Sequence, residues 1–137
     1  MTARTFLQED GLYLYRHIFP AAVPQLAFCG SEVATISNLA THALHAEFIA
    51  RVAAGKMALP TEKTMRAEIE QTKAWKRSWM PTTSCRSSLV LLHQVHYHDQ
   101  LLEDMGLPAA RKGANVLAEW FMPYQPRDYD GIIGSQS

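Results

Sequence analysis

Long apolar runs are missing from this 137-residue sequence, and its first residues, MTARTFLQEDGLYLYRH, carry acids among the apolar positions. That pattern gives neither a membrane-spanning helix nor a secretory leader, so the expectation is a soluble, cytoplasmic or otherwise intracellular protein. Charge of one sign is missing too: 13 Lys and Arg balance 13 Asp and Glu. Without a basic excess there is no electrostatic footprint for nucleic acid or an anionic membrane. Cysteine is scarce. Cys29 and Cys85 stand far apart with no C-x-x-C pair, which argues against a disulfide scaffold or a zinc knuckle. The seven glycines lie at 11, 30, 55, 106, 113, 131 and 134, so no G-x-G-x-x-G turn occurs among these residues.

What is present is enough apolar sequence for one domain with a core, or for a piece of a larger one. GLYLYRHIF, residues 11–19, mixes β-formers and reads as an extended segment or short strand before Pro20. LAFCG, residues 26–30, is too short for a helix and ends on glycine, which predicts a buried strand and a tight turn. From Ser37 or Asn38 the pattern becomes helical. Leu39, Ala43, Ala46, Ala50 and Ala53 form one stripe, Leu44, Phe48 and Val52 lie beside it, and the helix ends near Gly55. The alanine stripe predicts close packing on a sheet or another helix. A second helix starts after Thr61 as its cap, carries Met65, Ile69 and Trp75 or Trp79 on its apolar side, and stops at Pro81. A third is predicted over Ser87–Met105, stopped by Gly106 and Pro108, then a basic loop and a short helix, Ala114–Met122. One or two strands followed only by helices is unlike the regular alternation of a complete α/β domain.

Few residues make a chemical site by spacing. His42 with His45, and His93 with His96, each share a helix face, but no H-E-x-x-H pattern supports them and no metal site is expected. Neither cysteine nor any serine sits in a nucleophile elbow. Arg111 and Lys112 read as solvated loop charges. Trp75, Trp79, Trp120 and Phe121 read as anchors onto a larger core, and if exposed they would mark an interaction surface. The turn from Gly30 to the helix start at Ser37 and Asn38 is the best chemical candidate: backbone N–H groups at a helix start suit an anionic or carbonyl-bearing ligand. Any strand-turn-helix shares those features.

The order of segments adds more. LYRHIFP, then LAFCG, then SNLATHALHAEFIARVAAGKMALPT, with YHDQLLEDMG and LAEWFMPYQPRDYDG after them, resembles the carboxyl-terminal part of flavin-containing monooxygenases, plant-type and related members. The resemblance runs from about Leu12 to Gly131. It implies an α/β fragment, mainly helical: residues 1–58 as the end of a Rossmann-like FAD domain, with its last strand and crossover helix, and residues 59–137 as a helical extension packing on it. It implies Gly30, Val33, Ile36, Ser37 and Asn38 as FAD-positioning residues, acting through backbone groups and small side chains. The intact parent would use NADPH, FAD and O2 to oxygenate a small nitrogen- or sulfur-containing nucleophile.

The departures are as informative. In that family two glycine-rich turns seat FAD and NADPH, and both are absent here, so the chain alone is expected to be catalytically incomplete without the missing N-terminal FAD/NADPH region. The family's active-site asparagine belongs to that region, and no catalytic residue is assigned. Two alternatives stand beside this one: a non-enzymatic helical interaction module, and a His-rich metal-binding helical protein.

Overall fold

A computed structural model describes residues 7–23, 25–32, 38–90, 93–112, 126–129 and 131. A two-stranded hairpin, β1 (Leu7–Gln8) and β2 (Gly11–Leu12), pairs Leu7 with Leu12 and Gln8 with Gly11. Helices α1 (Asn38–Ala53), α2 (Glu62–Trp79) and α3 (Gln94–Asp104) follow, with 3-10 turns at Arg86–Ser88 and Pro126–Tyr129. Gly11 is required where the hairpin meets the 86–88 turn: its φ is +121°, and a Cβ there would lie 2.1 Å from Ser87 Oγ.

The first two helices begin and end as their sequences predict. Thr61 caps α2 by accepting from the Thr64 N–H at 3.3 Å, and the Met80 N–H closes the other end on the Lys76 carbonyl at 2.9 Å, just before Pro81. Beyond Ala53, the Lys56 N–H bonds back to the Arg51 carbonyl at 2.9 Å and satisfies the last turn of α1. α3 is shorter than the predicted helix. Ser87 and Ser88 belong to the 3-10 turn, and regular helix starts only at Gln94. Lys76 explains part of the delay: its buried ammonium takes the carbonyls of Ser87 at 2.5 Å and Leu89 at 3.0 Å. A carbonyl has two lone pairs, so these contacts bias the 87–89 backbone away from a helix ladder without forbidding one.

Leu44 and Phe48 of α1 pack with Leu101 and Leu102 of α3, and Ile18, Phe19, Met65, Val90 and Met105 complete one core. The alanine stripe predicted to face this core turns away from it. Ala46, Ala50 and Ala53 are exposed, and Leu39 is 86% exposed. Leucine and phenylalanine remove more apolar area from water than alanine does, so the helix is rotated to bury them.

Residues 26–30 form no strand, in contrast to the expected buried one. Phe28 donates its N–H to the Ile18 carbonyl at 2.9 Å, and no ladder continues from there. A buried parallel strand needs a neighbour on each side to satisfy its backbone, and none flanks these residues among the described ones. The 11–19 segment is also extended for only two residues before it folds back, with a bridge between Tyr15 and Phe19. Arg16 and His17 take left-handed φ values of 50° and 54° in that fold-back. Such residues cost about 1 kcal/mol or more each. Arg16 is held there by Asp104, with Nε to Oδ2 at 2.6 Å, and by Glu68 at 3.1 Å.

Arg111 and Lys112 are paired rather than solvated. Arg111 lies buried beside Asp99 at 2.9 Å and over the Tyr129 ring, and Lys112 bonds Asp128 at 2.8 Å. The predicted helix over 114–122, with Trp120 and Phe121, lies outside the described residues. No helix among the described residues is long and apolar enough to cross a membrane.

Candidate functional site

The turn that follows LAFCG is fastened to α1 and α3 by a chain of buried polar groups. Gly30 has φ +76°, and its N–H donates to His45 Nδ1 at 3.3 Å. Its missing side chain makes room for a histidine: a Cβ would lie 3.0 Å from His42 Nε2. Ser31 donates its hydroxyl proton to the His17 carbonyl.

His45, fully buried on α1, has a tautomer that its neighbours dictate. Tyr97 donates its hydroxyl proton to the Arg16 carbonyl at 2.7 Å, so the 2.5 Å contact between that hydroxyl and His45 Nε2 needs the proton on Nε2. Nδ1 is then left as the acceptor for Gly30. Burial, with His42 and His98 nearby, pulls the His45 pKa down to about 3, which keeps this neutral form at pH 7.

Glu32 completes the cluster. Its carboxylate side chain is 0% exposed, 3.2 Å from His42 Nε2 and 3.4 Å from His45 Nδ1. Burial pushes its pKa up, against the pull of His42. An ionised Glu32 oxygen beside the His45 Nδ1 lone pair is repulsive, so a shared proton or the positive charge of protonated His42 is what makes this placement favourable. One step deeper, His98 bridges Thr41 Oγ1 at 2.8 Å and the Tyr129 hydroxyl at 2.6 Å, and burial lowers its pKa to about 4.

Of the five candidate residues, Gly30 enters this network and Asn38 opens α1 with an exposed side chain. Val33, Ile36 and Ser37 lie outside the described residues. Glu32, Thr41, Tyr97 and His98 were not legible as site residues. The i, i+3 spacing of His42 and His45 was the one usable signal, and nothing local in the sequence joins Glu32 to them across the turn. The two histidine pairs sit apart: His93 packs edge-on to Trp75, 5.0 Å between ring centroids, on another face of the molecule. Among the described residues no group of three or more His, Cys, Asp or Glu could hold a metal ion.

A family model described as flavin-binding monooxygenase-like matches residues 4–111. The chain belongs to this family. Among similar proteins, the FAD-dependent monooxygenase DEP4 of Alternaria brassicicola is 30% identical over 129 residues, covering 86% of this chain and 21% of that protein. The DEP4 protein of Fusarium langsethiae is 35% identical over 75 residues, covering 55% and 13%. An Arabidopsis thaliana protein named probable flavin-containing monooxygenase 1 is 32% identical over 132 residues, covering 92% and 23%. The chain thus spans about a quarter or less of the length of these relatives.

Membership of the flavin-binding family implies FAD as the cofactor. The described residues do not form a cradle for it. The Gly30 amide, the donor a ligand would want, is committed to His45, and the space beside its Cα is filled by the His42 ring. Asn38 alone of the described candidates presents an uncommitted polar surface at the start of α1.

Proposed function

We propose that these residues supply the carboxyl-terminal part of an FAD- and NADPH-dependent monooxygenase that oxygenates a small nitrogen- or sulfur-containing molecule. The family match over residues 4–111 carries this reading, and the sequence order of LYRHIFP, LAFCG and the α1 segment supports the carboxyl-terminal placement. In this reading residues 1–58 close the FAD domain and residues 59–137 pack on it. Val33, Ile36, Ser37 and Asn38 border the flavin, while Gly30 acts one step back by docking the turn on His45. The chemistry of oxygen transfer belongs to the cofactor, and these residues orient the turn and exclude water from it.

Two measurements test the proposal. The chain by itself should neither retain FAD at one equivalent nor oxidise NADPH. Fused behind the sequence of the Arabidopsis relative that precedes its matching part, it should restore a flavin absorption band that survives gel filtration. A fusion that folds yet holds no flavin would sink the carboxyl-terminal assignment. Exposure of Trp75 and Trp79, at 45% and 44%, favours the interaction-module alternative instead. That alternative requires the folded chain to capture a protein partner with no flavin present.

A further inference from the structure

A large groove lies between α2, the first turns of α3 and the 14–17 fold-back. It encloses about 680 Å³, within the range of small-molecule sites. Trp75 stands on one wall. Its ring meets Trp79 at 5.1 Å and 65°, and His93 at 5.0 Å and 86°, yet it remains 45% exposed. An indole held by two ring neighbours and open on its remaining surface is a preformed stacking surface, with little rotamer entropy left to lose on binding.

The charges around this groove are already spent. Arg16, the cation on its wall, is held by both Asp104 and Glu68, and Glu68 is the wall's carboxylate. Of the three wall histidines, His17, His93 and the exposed His96, the first two have pKa values lowered by burial and by the nearby Lys76, to about 4 for His93. An anion meets no unpaired arginine or lysine among these lining residues, and a cation meets a carboxylate that already has its partner. Uncharged polar groups remain: Gln71, Thr72 and Gln100 line the rim. His93 Nδ1 is buried with no hydrogen-bond partner among the described residues, so turning it toward a ligand breaks no hydrogen bond at that atom and costs only part of its edge-on contact with Trp75.

We propose that this groove binds a flat, uncharged aromatic molecule of two or three rings, stacked on Trp75 and hydrogen-bonded by His93 and the rim amides. The groove shares Arg16, His17 and Tyr97 with the Gly30 network, but Trp75, His93 and the rim amides that hold the ligand lie outside that network, so binding is testable with no flavin present and apart from the monooxygenase assignment.

The test is a pair of fluorescent probes that share one skeleton, uncharged N-phenyl-1-naphthylamine and its anionic relative 8-anilinonaphthalene-1-sulfonate, titrated into the full chain. The uncharged probe should saturate at one equivalent, accept excitation energy from tryptophan, and bind about tenfold or more tighter than the sulfonate, the scale of one aromatic contact plus an unmatched charge. Thr72→Trp, at an exposed α2 position on the rim, should fill the groove and abolish saturable binding. Lys63→Trp, exposed near the start of α2, should leave binding unchanged and controls for the added indole. Trp75→Ala should weaken binding about tenfold with an unchanged far-ultraviolet circular dichroism spectrum. Equal affinity for the two probes, binding that never saturates, or wild-type binding by Thr72→Trp would each overturn the proposal.

Discussion

The two faces of α3 differ in how their polar groups are used. On the side toward α1, Tyr97 accepts from His45 and donates to the Arg16 carbonyl, His98 is bonded to Thr41 and Tyr129, and all of these side chains are buried. On the side toward α2, His93, His96 and Trp75 line an open groove, and His93 Nδ1 has no hydrogen-bond partner among the described residues. A buried, mutually satisfied network fixes one geometry, because each member removed leaves another unpaired in a dry site. An open aromatic wall fixes little and leaves surface for something else to cover. The closed face sets the shape of the Gly30 turn, and the open face is where a new molecule can be received.

The contrast can be broken from its strongest side first. Phe48→Ala removes a ring that is 1% exposed and should cost about 4 kcal/mol in urea unfolding, enough to threaten the fold. Tyr97→Phe keeps the ring but strips the hydroxyl that serves both His45 Nε2 and the Arg16 carbonyl; a loss of about 2 to 3 kcal/mol is expected, and an unchanged midpoint would show the network to be dispensable. Asp10→Asn comes next. Asp10 receives a two-pronged bond from Arg77 of α2 at 2.9 and 2.8 Å, and also accepts from Tyr13 and Arg86. Arg77 holds its pKa well below the ordinary 3.8, against the opposing effect of burial. The stabilisation is therefore fully present above pH 3.8 and fades as the pH falls below it. Asp10→Asn should cost about 1 to 2 kcal/mol at pH 7, with a gap to the wild type that narrows below pH 3.8.

Glu32→Gln sharpens the comparison with the opposite sign. A carboxyl whose folded pKa is raised binds protons more tightly when folded, so its contribution is best below the ordinary 4.5 and is lost as the pH rises. The amide copies the neutral form. Its melting temperature should exceed the wild type's at pH 7 by a small margin that closes below pH 4.5, and a lower value at pH 7 would show that ionised Glu32 is held by His42. The smallest effect belongs to the open face: Trp75→Ala should change stability by no more than about 0.5 kcal/mol while altering what the groove binds.

How much was legible follows from what each feature depends on. Thr61, Gly55 and Pro81 act within a turn or two of themselves, so the bounds of α1 and α2 could be read directly. That 26–30 forms no strand could not be read, because a strand exists only by virtue of its neighbours. The alanine stripe misled for a related reason: periodicity shows that a helix has two faces, but the larger side chains decide which one is buried. At the site, Gly30 stood out by its type and position as a tight turn, while its bond to His45 was not visible in the sequence. Glu32 did not stand out, since what singles it out is burial between two histidines that approach it from α1.

By itself the sequence determined the kinship, the helical segments and their caps, and the absence of glycine-rich nucleotide turns among these residues, all of which are properties of residues close together in the chain. Only the tertiary structure decided that the Gly30 amide is spent on His45, that Lys76 and Glu32 are buried ionisable groups, and that Trp75 faces a groove instead of a core. Those outcomes depend on which groups lose water together, and that is settled when α1, α2, α3 and the 14–17 fold-back come into contact.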